Sequence, residues 1–297
     1  MRPTAGDDDG NEGTSAFEHV FDDRSPPASS KGPAAYSVDV SAQVAAGAES
    51  AAASPAGLIV DWGGVLTASL DGAMSAWARQ DGVDYAHFRD VMREWVGRAE
   101  PPSGPPSGPS SGPSSAPADE QPVADLEQAG DDGPAGTSPA HRLERGELSA
   151  AGFEIELAHE LALRGSPVPA EGLLTRMLGG LEKLEDDMVG LVRRAHGLGV
   201  RTALLSNSWG DHYPEQLWEG LFDAVVISGR VGMRKPEPRI FRHACALVDL
   251  PPSACVMVDD LPHNIRGALD VGMIGVLHRS YPETLAELEA LFDLPLR

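Results

Sequence analysis

The sequence predicts an α/β protein, a doubly wound parallel sheet of Rossmann type with an inserted helical module. Three observations carry this. From Val200 onward, short apolar runs alternate with amphipathic stretches, as in strand–helix–strand units of a parallel sheet. Three of the apolar runs deliver polar residues at their ends, Asp61, Ser206 with Asn207, and Asp259 with Asp260, and such sheets bind ligands at the carboxyl ends of their strands. Between the first run and Val200 the pattern is helical, with no second strand, so that stretch reads as an insertion.

Residues 1–56 combine Ala, Ser, Pro, Gly and Asp with hardly any apolar period, the composition of an acidic, disordered tail that cannot offset its ordering entropy. The run LIVD at Leu58–Asp61 is a short strand that ends in a Gly63–Gly64 turn. Asp71–Gln80 and Tyr85–Arg98 read as helices. The stretch from Glu100 to Pro139 contains SGPPSGPSSGPSS, in which proline and glycine oppose both helix and sheet, and it reads as a disordered loop within a domain. Helical pattern resumes at Leu148–Arg164, where Phe153, Leu157 and Leu161 recur at four-residue spacing, and at Leu173–Leu178. Asp187–Leu198 is a helix closed by Gly199. Val200–Ser206, Ala224–Ser228, Cys255–Asp259 and Ile274–His278 follow as strands, separated by helices over Pro236–Val248, Asn264–Val271 and Pro282–Phe292. The expected organisation is a core of residues 57–68 and 181–297. A helical cap of residues 69–180 is interrupted at about 100–140.

With 41% hydrophobic residues in 297, the chain can bury a sizeable core. A formal charge of −22 without a basic stripe argues against nucleic acid as a partner. No apolar run approaches the ~20 residues of a membrane helix, and MRPTAGDDDGNEG lacks the apolar segment of a secretory signal. Cys245 and Cys255 sit in apolar surroundings and read as small buried hydrophobes, in keeping with a reducing cytoplasm.

Asp61, Asp259 and Asp260 at one sheet edge would repel one another unless a cation or protons intervened. Hard oxygen donors with few histidines suit Mg²⁺ better than zinc. Ser206 and Asn207, in ALLSNS, offer a hydroxyl and backbone N–H groups for an anionic oxygen. Lys235, in RKPEP, supplies a fixed positive charge ahead of a proline-started helix. Carboxylates, cation, hydroxyl and lysine together suggest phosphoryl chemistry. The plainer readings are a strand-end turn former for Asp61, an N-cap pair for Ser206 and Asn207, and a solvated Lys235. Asn264 reads as the cap of the following helix, with support of the acidic loop as a second role. His263 reads as solvent-facing. His87, His159, His196, His212 and His243 show no ligand spacing. Trp62 and Trp209 either shape a substrate pocket or anchor core to cap.

In their order, DWGGVLT at 61–67, LLSNS at 204–208, Lys235 in GMRKPEPRIF and VMVDDLPHNIRGALDVGM at 256–273 resemble the haloacid dehalogenase-like hydrolase superfamily. LERGELSAAGFE at 143–154 is similar to the subclass with a helical cap after the first strand. The resemblance implies that Asp61 is a nucleophile forming an aspartyl-phosphate, and that Mg²⁺ is held by Asp61, Asp260 and the Gly63 carbonyl. Asp259 would be a second ligand or a holder of metal-bound water. Ser206 and the Asn207 amide would bind phosphoryl oxygens, and Lys235 would neutralise charge on nucleophile and phosphate. The implied substrate is a small phosphomonoester. Phosphatases of the family commonly carry an acid–base aspartate two residues after the nucleophile, where this chain has Gly63. The alternatives are therefore a dehalogenase-type hydrolase, or a scaffold with little turnover and a binding or regulatory role.

Overall fold

The computed structural model describes residues 54–96, 138–179, 183–210, 213, 215, 218 and 220–297. Apart from residues 54–56 and 138–140, the tail expected over 1–56 and the loop expected at about 100–140 lie outside these residues, as does His212.

Strands β1 (Gly57–Val60), β2 (Arg201–Ser206), β3 (Ala224–Ile227), β4 (Cys255–Asp259) and β5 (Ile274–Leu277) form one parallel sheet in the order β3-β2-β1-β4-β5. All four residues of β1 are buried, as expected of a central strand covered on both faces, which therefore reads as an unbroken apolar run. Its side chains alternate between two cores. Leu58 and Val60 pack with Met188, Leu191 and Val192 of α6 (Asp186–Gly197) and with Leu288 and Phe292 of α10 (Tyr281–Phe292). Ile59 faces the opposite core, with Phe241 and Ala244 of α8 (Pro238–Leu247) and Ala268 of α9 (Pro262–Asp270).

The chain runs outward from β1 through β2 to β3 and then returns to β4 on the other side of β1, so the strand order reverses at β1 and β4. Val60 pairs with both Leu204 and Val258. That register brings Asp61, Ser206 and Asp259 within about one residue of the same level at the carboxyl edge.

The insertion after β1 carries α1 (Leu70–Asp81), α2 (Tyr85–Val96), α3 (Pro139–Glu144), α4 (Ala150–Leu163) and α5 (Leu173–Leu178). It has its own apolar cluster, with Met74, Trp77, Phe88, Trp95, Phe153 and Leu157 at its centre. Edge-to-face contacts at 5.5 Å join Trp77 to Phe88 and Trp95 to Phe153. Each such side chain contributes about 1.5–3 kcal/mol on burial. The two chain passages into the insertion meet where Thr67 bridges Leu184 and the Glu185 N–H donates to the Leu66 carbonyl at 2.9 Å.

Several element boundaries differ by one or two residues from those read in the sequence, and one helix was not read there. Helix α3 was hidden at the edge of the Pro/Gly/Ser stretch, because six residues are too few to show a period. It is started by Pro139 and by Ser138, whose Oγ accepts from the His141 N–H at 3.2 Å. Helix α8 begins at Pro238 rather than Pro236, and α9 at Pro262 rather than Asn264. In both, the later-placed or overlooked proline occupies the first turn, where its missing N–H costs nothing. No helix among the described residues is long and apolar enough to cross a membrane. A short helix, α7 (Ser228–Val231), follows β3 directly.

Candidate active site

The carboxyl edge gathers Asp61, Asp259 and Asp260, each with an oxygen within 4.8 Å of the others. Lys235 stands among them, 1% exposed. Its Nζ lies 2.8 Å from Asp61 Oδ2 and 2.6 Å from Asp259 Oδ2. An ammonium at this depth loses its hydration, which works to lower its pKa. The charges of Asp259 and Asp61 outweigh that loss and hold it above the ordinary lysine value.

Asp61 is buried, and its Oδ1 accepts the Trp62 N–H at 2.6 Å. Desolvation pushes its pKa up to about 7, against the pull of Lys235 and with a further push from Asp259. Asp260 is half-buried, and desolvation followed by the charges of Asp259 and Asp61 raises it well above the carboxylate range. The upward shifts of these two neighbouring acids come from burial first and from the charge of the carboxylates beside them second.

Asp259 is fully buried and differently supported. Besides Lys235, its oxygens accept from the Leu261 N–H at 2.9 Å and from Asn264 Nδ2 at 3.0 and 3.1 Å. Asn264 therefore does not cap α9. It sits inside the first turn and holds Asp259, the second of the two roles read for it. Leu261 is at the N-cap position without a side-chain bond.

Gly64 adopts φ +73°, and a Cβ there would lie 2.1 Å from Asp260 Oδ2. The glycine lets the acid close down on the turn after β1. Gly63 differs, since a Cβ there would meet nothing within 4 Å.

Ser206 Oγ lies 2.9 Å from the Tyr213 hydroxyl. Asn207 directs its side chain to the main chain of Lys235: its Nδ2 donates to the Lys235 carbonyl at 3.0 Å, and its Oδ1 accepts the Lys235 N–H at 2.8 Å. Asp61, Ser206, Asn207, Asp259 and Asp260 thus end or follow strands at this edge, Lys235 reaches into it, and Gly63 lies in the β1 turn. His263, expected to face solvent, is half-buried, and desolvation lowers its pKa to about 4, so the imidazole is neutral at neutral pH.

Trp62 packs edge-on against Tyr213 at 5.8 Å and lines a pocket of about 420 Å³ with Leu66, Val189 and Trp218. Trp209 packs against Phe153 of the insertion at 5.6 Å, as the anchoring reading requires. Tyr213, which carries no motif, escaped the sequence reading.

The family model for haloacid dehalogenase-like hydrolases matches residues 55–272. The chain belongs to this family. Its curated relatives include a sesquiterpene phosphatase of Aspergillus oryzae, 28% identical over half of this chain and 77% of that protein. An N-acylneuraminate-9-phosphatase of Mus musculus is 39% identical over 25% of this chain and 32% of that protein. Bifunctional epoxide hydrolase 2 of Rattus norvegicus is 33% identical over 31% of this chain, but the match spans only 18% of that protein. Among solved structures, a HAD-like family hydrolase from Porphyromonas gingivalis covers 80% of this chain and 98% of its own at a TM-score of 0.50 and 16% identity. That likeness concerns the fold of this HAD-like hydrolase, which is the parallel sheet with flanking helices described above.

Proposed function

We propose that this HAD-like hydrolase is a Mg²⁺-dependent phosphatase that hydrolyses a small phosphomonoester through an aspartyl-phosphate at Asp61. The observation that carries the reading is the buried Lys235 ammonium shared between Asp61 and Asp259, with Asp260 alongside. Three carboxylates facing one ammonium form a hard, electron-rich donor set that fits a divalent cation. Asp61, Asp260 and the Gly63 carbonyl would hold the ion, with Asp259 as a further ligand or the holder of bound water. When bound, it supplies charge neutralisation between the phosphoryl group and the carboxylates.

Asp61 attacks phosphorus, forming the Oδ–P bond as the bond from phosphorus to the leaving oxygen breaks. Lys235 balances charge on the nucleophile and on the transferring group. Ser206 and the Asn207 amide hold phosphoryl oxygens, while the Asn207 side chain fixes the lysine. Water then attacks phosphorus as the bond from phosphorus to Asp61 Oδ breaks, and with the water proton passing to solvent, phosphate and the Asp61 carboxylate are released. Gly63 provides no acid, so the leaving oxygen takes its proton from solvent, and substrates with good leaving groups are favoured. The helical insertion, residues 69–180, acts as the cap that encloses the substrate. The phosphatases among the relatives support a small phosphorylated substrate.

The test is phosphate release from p-nitrophenyl phosphate with and without Mg²⁺, beside Asp61→Asn. Metal-dependent turnover abolished by the substitution is the expected result. Release of halide from a haloacid, with no phosphatase activity, would replace the reading with the dehalogenase one.

A further inference from the structure

The phrase Glu144-Arg145-Gly146 lies on the insertion, yet each of its residues contacts the core segments that follow β2 and β3. The Glu144 carboxylate accepts Arg234 Nε at 2.5 Å and Trp209 Nε1 at 3.3 Å. Its main-chain carbonyl accepts the Ser228 hydroxyl at 2.5 Å. Arg145 Nη1 donates to Glu237 Oε1 at 3.1 Å. Gly146, at φ +72°, lies so close to the core that a Cβ would stand 2.5 Å from the Gly229 carbonyl oxygen.

The core ends of this clasp are not scattered. Arg234 and Glu237 bracket Lys235 and Pro236 in sequence. Trp209 follows Asn207 by two residues, and Asn207 already holds both main-chain polar groups of Lys235. The lysine segment is thus fixed from the core by Asn207 and from the insertion by Glu144 and Arg145. Glu144 and Arg234 are 9% and 7% exposed. In such surroundings a charge pair is strong, and loss of one partner strands the other. Of the contacts made by Glu144 and Arg145, those to Arg234 and Glu237 fall on either side of Lys235 and Pro236.

We propose that Glu144 and Arg145 are positioning residues for Lys235, through which the insertion holds the ammonium against Asp61 and Asp259. The proposal rests on the role given to Lys235 in the phosphatase reading. Its geometric part does not depend on turnover.

The experiment compares wild type with Glu144→Ala, Glu144→Gln, Gly146→Ala and the double variant Glu144→Ala/Arg234→Ala, with Arg93→Ala on the exposed face of α2 as control. Kinetics on p-nitrophenyl phosphate with Mg²⁺ are read beside hydrogen exchange at the Lys235 amide. A displacement near 1 Å costs about 100-fold in rate, so Glu144→Ala should lose roughly 10- to 100-fold in kcat with KM within about threefold. Exchange at the Lys235 N–H should accelerate about tenfold while the β1 amides are unchanged. The double variant should be no worse than Glu144→Ala by more than about twofold, since both act through one contact. Glu144→Gln keeps the shape and an acceptor, and should fall between wild type and alanine. If the alanine variant does not fold, Glu144→Gln and Gly146→Ala carry the same comparison. Wild-type kcat in a folded clasp variant, or unchanged exchange at the Lys235 amide, would overturn the proposal. If wild type does not hydrolyse the ester, the phosphatase reading fails by itself. The exchange measurement then decides the clasp alone, acceleration sustaining it and no change rejecting it.

Discussion

Adjacent glycines in the β1 turn should respond oppositely to the same substitution. At Gly64, φ is +73°, and an alanine there costs about 1–2 kcal/mol in backbone strain. Reduced freedom of the unfolded chain returns about 0.4–1 kcal/mol, so Gly64→Ala should lose near 1 kcal/mol in stability. The larger effect is elsewhere. A Cβ at 64 would lie 2.1 Å from Asp260 Oδ2 and 2.7 Å from its Cγ, a contact relieved only by turning the carboxylate away. Losing one charged oxygen donor from the set should weaken divalent-metal binding by ~10-fold or more. At Gly63 a Cβ meets nothing within 4 Å and φ is not left-handed, so Gly63→Ala should stay within about 0.5 kcal/mol of wild type. Urea unfolding in EDTA gives the stability difference, and a Mg²⁺ titration followed by calorimetry gives the affinity. Equal losses for the two variants, or wild-type Mg²⁺ affinity in Gly64→Ala, would refute the assignment of Asp260 to the metal.

Lys235→Met leaves Asp61 and Asp259 buried without their shared cation, and removal of one partner from such a cluster costs about 3–5 kcal/mol. Metal-free unfolding should show that loss at pH 8, and it should shrink at lower pH as protonation removes the stranded charge. Tyr213→Phe deletes the 2.9 Å contact to Ser206 Oγ but keeps the ring against Trp62; a loss of about 0.5–1.5 kcal/mol in thermal unfolding is expected, with a higher KM for phosphate esters. Glu144 is pressed upward by desolvation, but Arg234, His141 and its hydrogen bonds outweigh this and hold its pKa below the usual value. A depressed folded pKa gives stability that is complete above the unfolded value, about 4.3, and disappears as pH falls through the lower folded value. Wild type should therefore exceed Glu144→Gln in unfolding free energy at pH 6, and the two should converge in acid.

The sheet and the principal site positions were legible because both are local signals. Short apolar runs that end in polar residues, as in LLSNS and VMVDD, mark strand and strand end together, and the register of β1 with β2 and β4 does the rest. The support of the site was not legible. Asn264 reads as a helix cap until Pro262 is seen to take the first turn. Tyr213, seven residues beyond Ser206, and Glu144, 90 residues before Arg234, act through contacts with no sequence period. Glu144 did stand in the LERGEL phrase, but a phrase carries no partner. What Asn207 binds depends on a side-chain direction, which no pattern encodes.

The hydrogen bonds also separate two acids that the sequence presents as equals. Asp259 accepts Lys235, the Leu261 N–H and both contacts of Asn264, so much of its charge is already answered by the protein, as suits an anchor for the lysine and for bound water. Asp260 lies against Gly64, and burial, followed by the charges of Asp259 and Asp61, raises it well above the carboxylate range. Asp61 is raised by burial too, despite Lys235 and the Trp62 N–H. A divalent ion would favour the charged form of both, which supports Asp61 and Asp260 as the carboxylates in direct contact with it. Asp259→Asn should then cost chiefly the placement of Lys235 and show in kcat. Asp260→Asn should cost Mg²⁺ affinity, and a calorimetric titration of both variants in which Asp259→Asn lost the greater affinity would reverse the assignment.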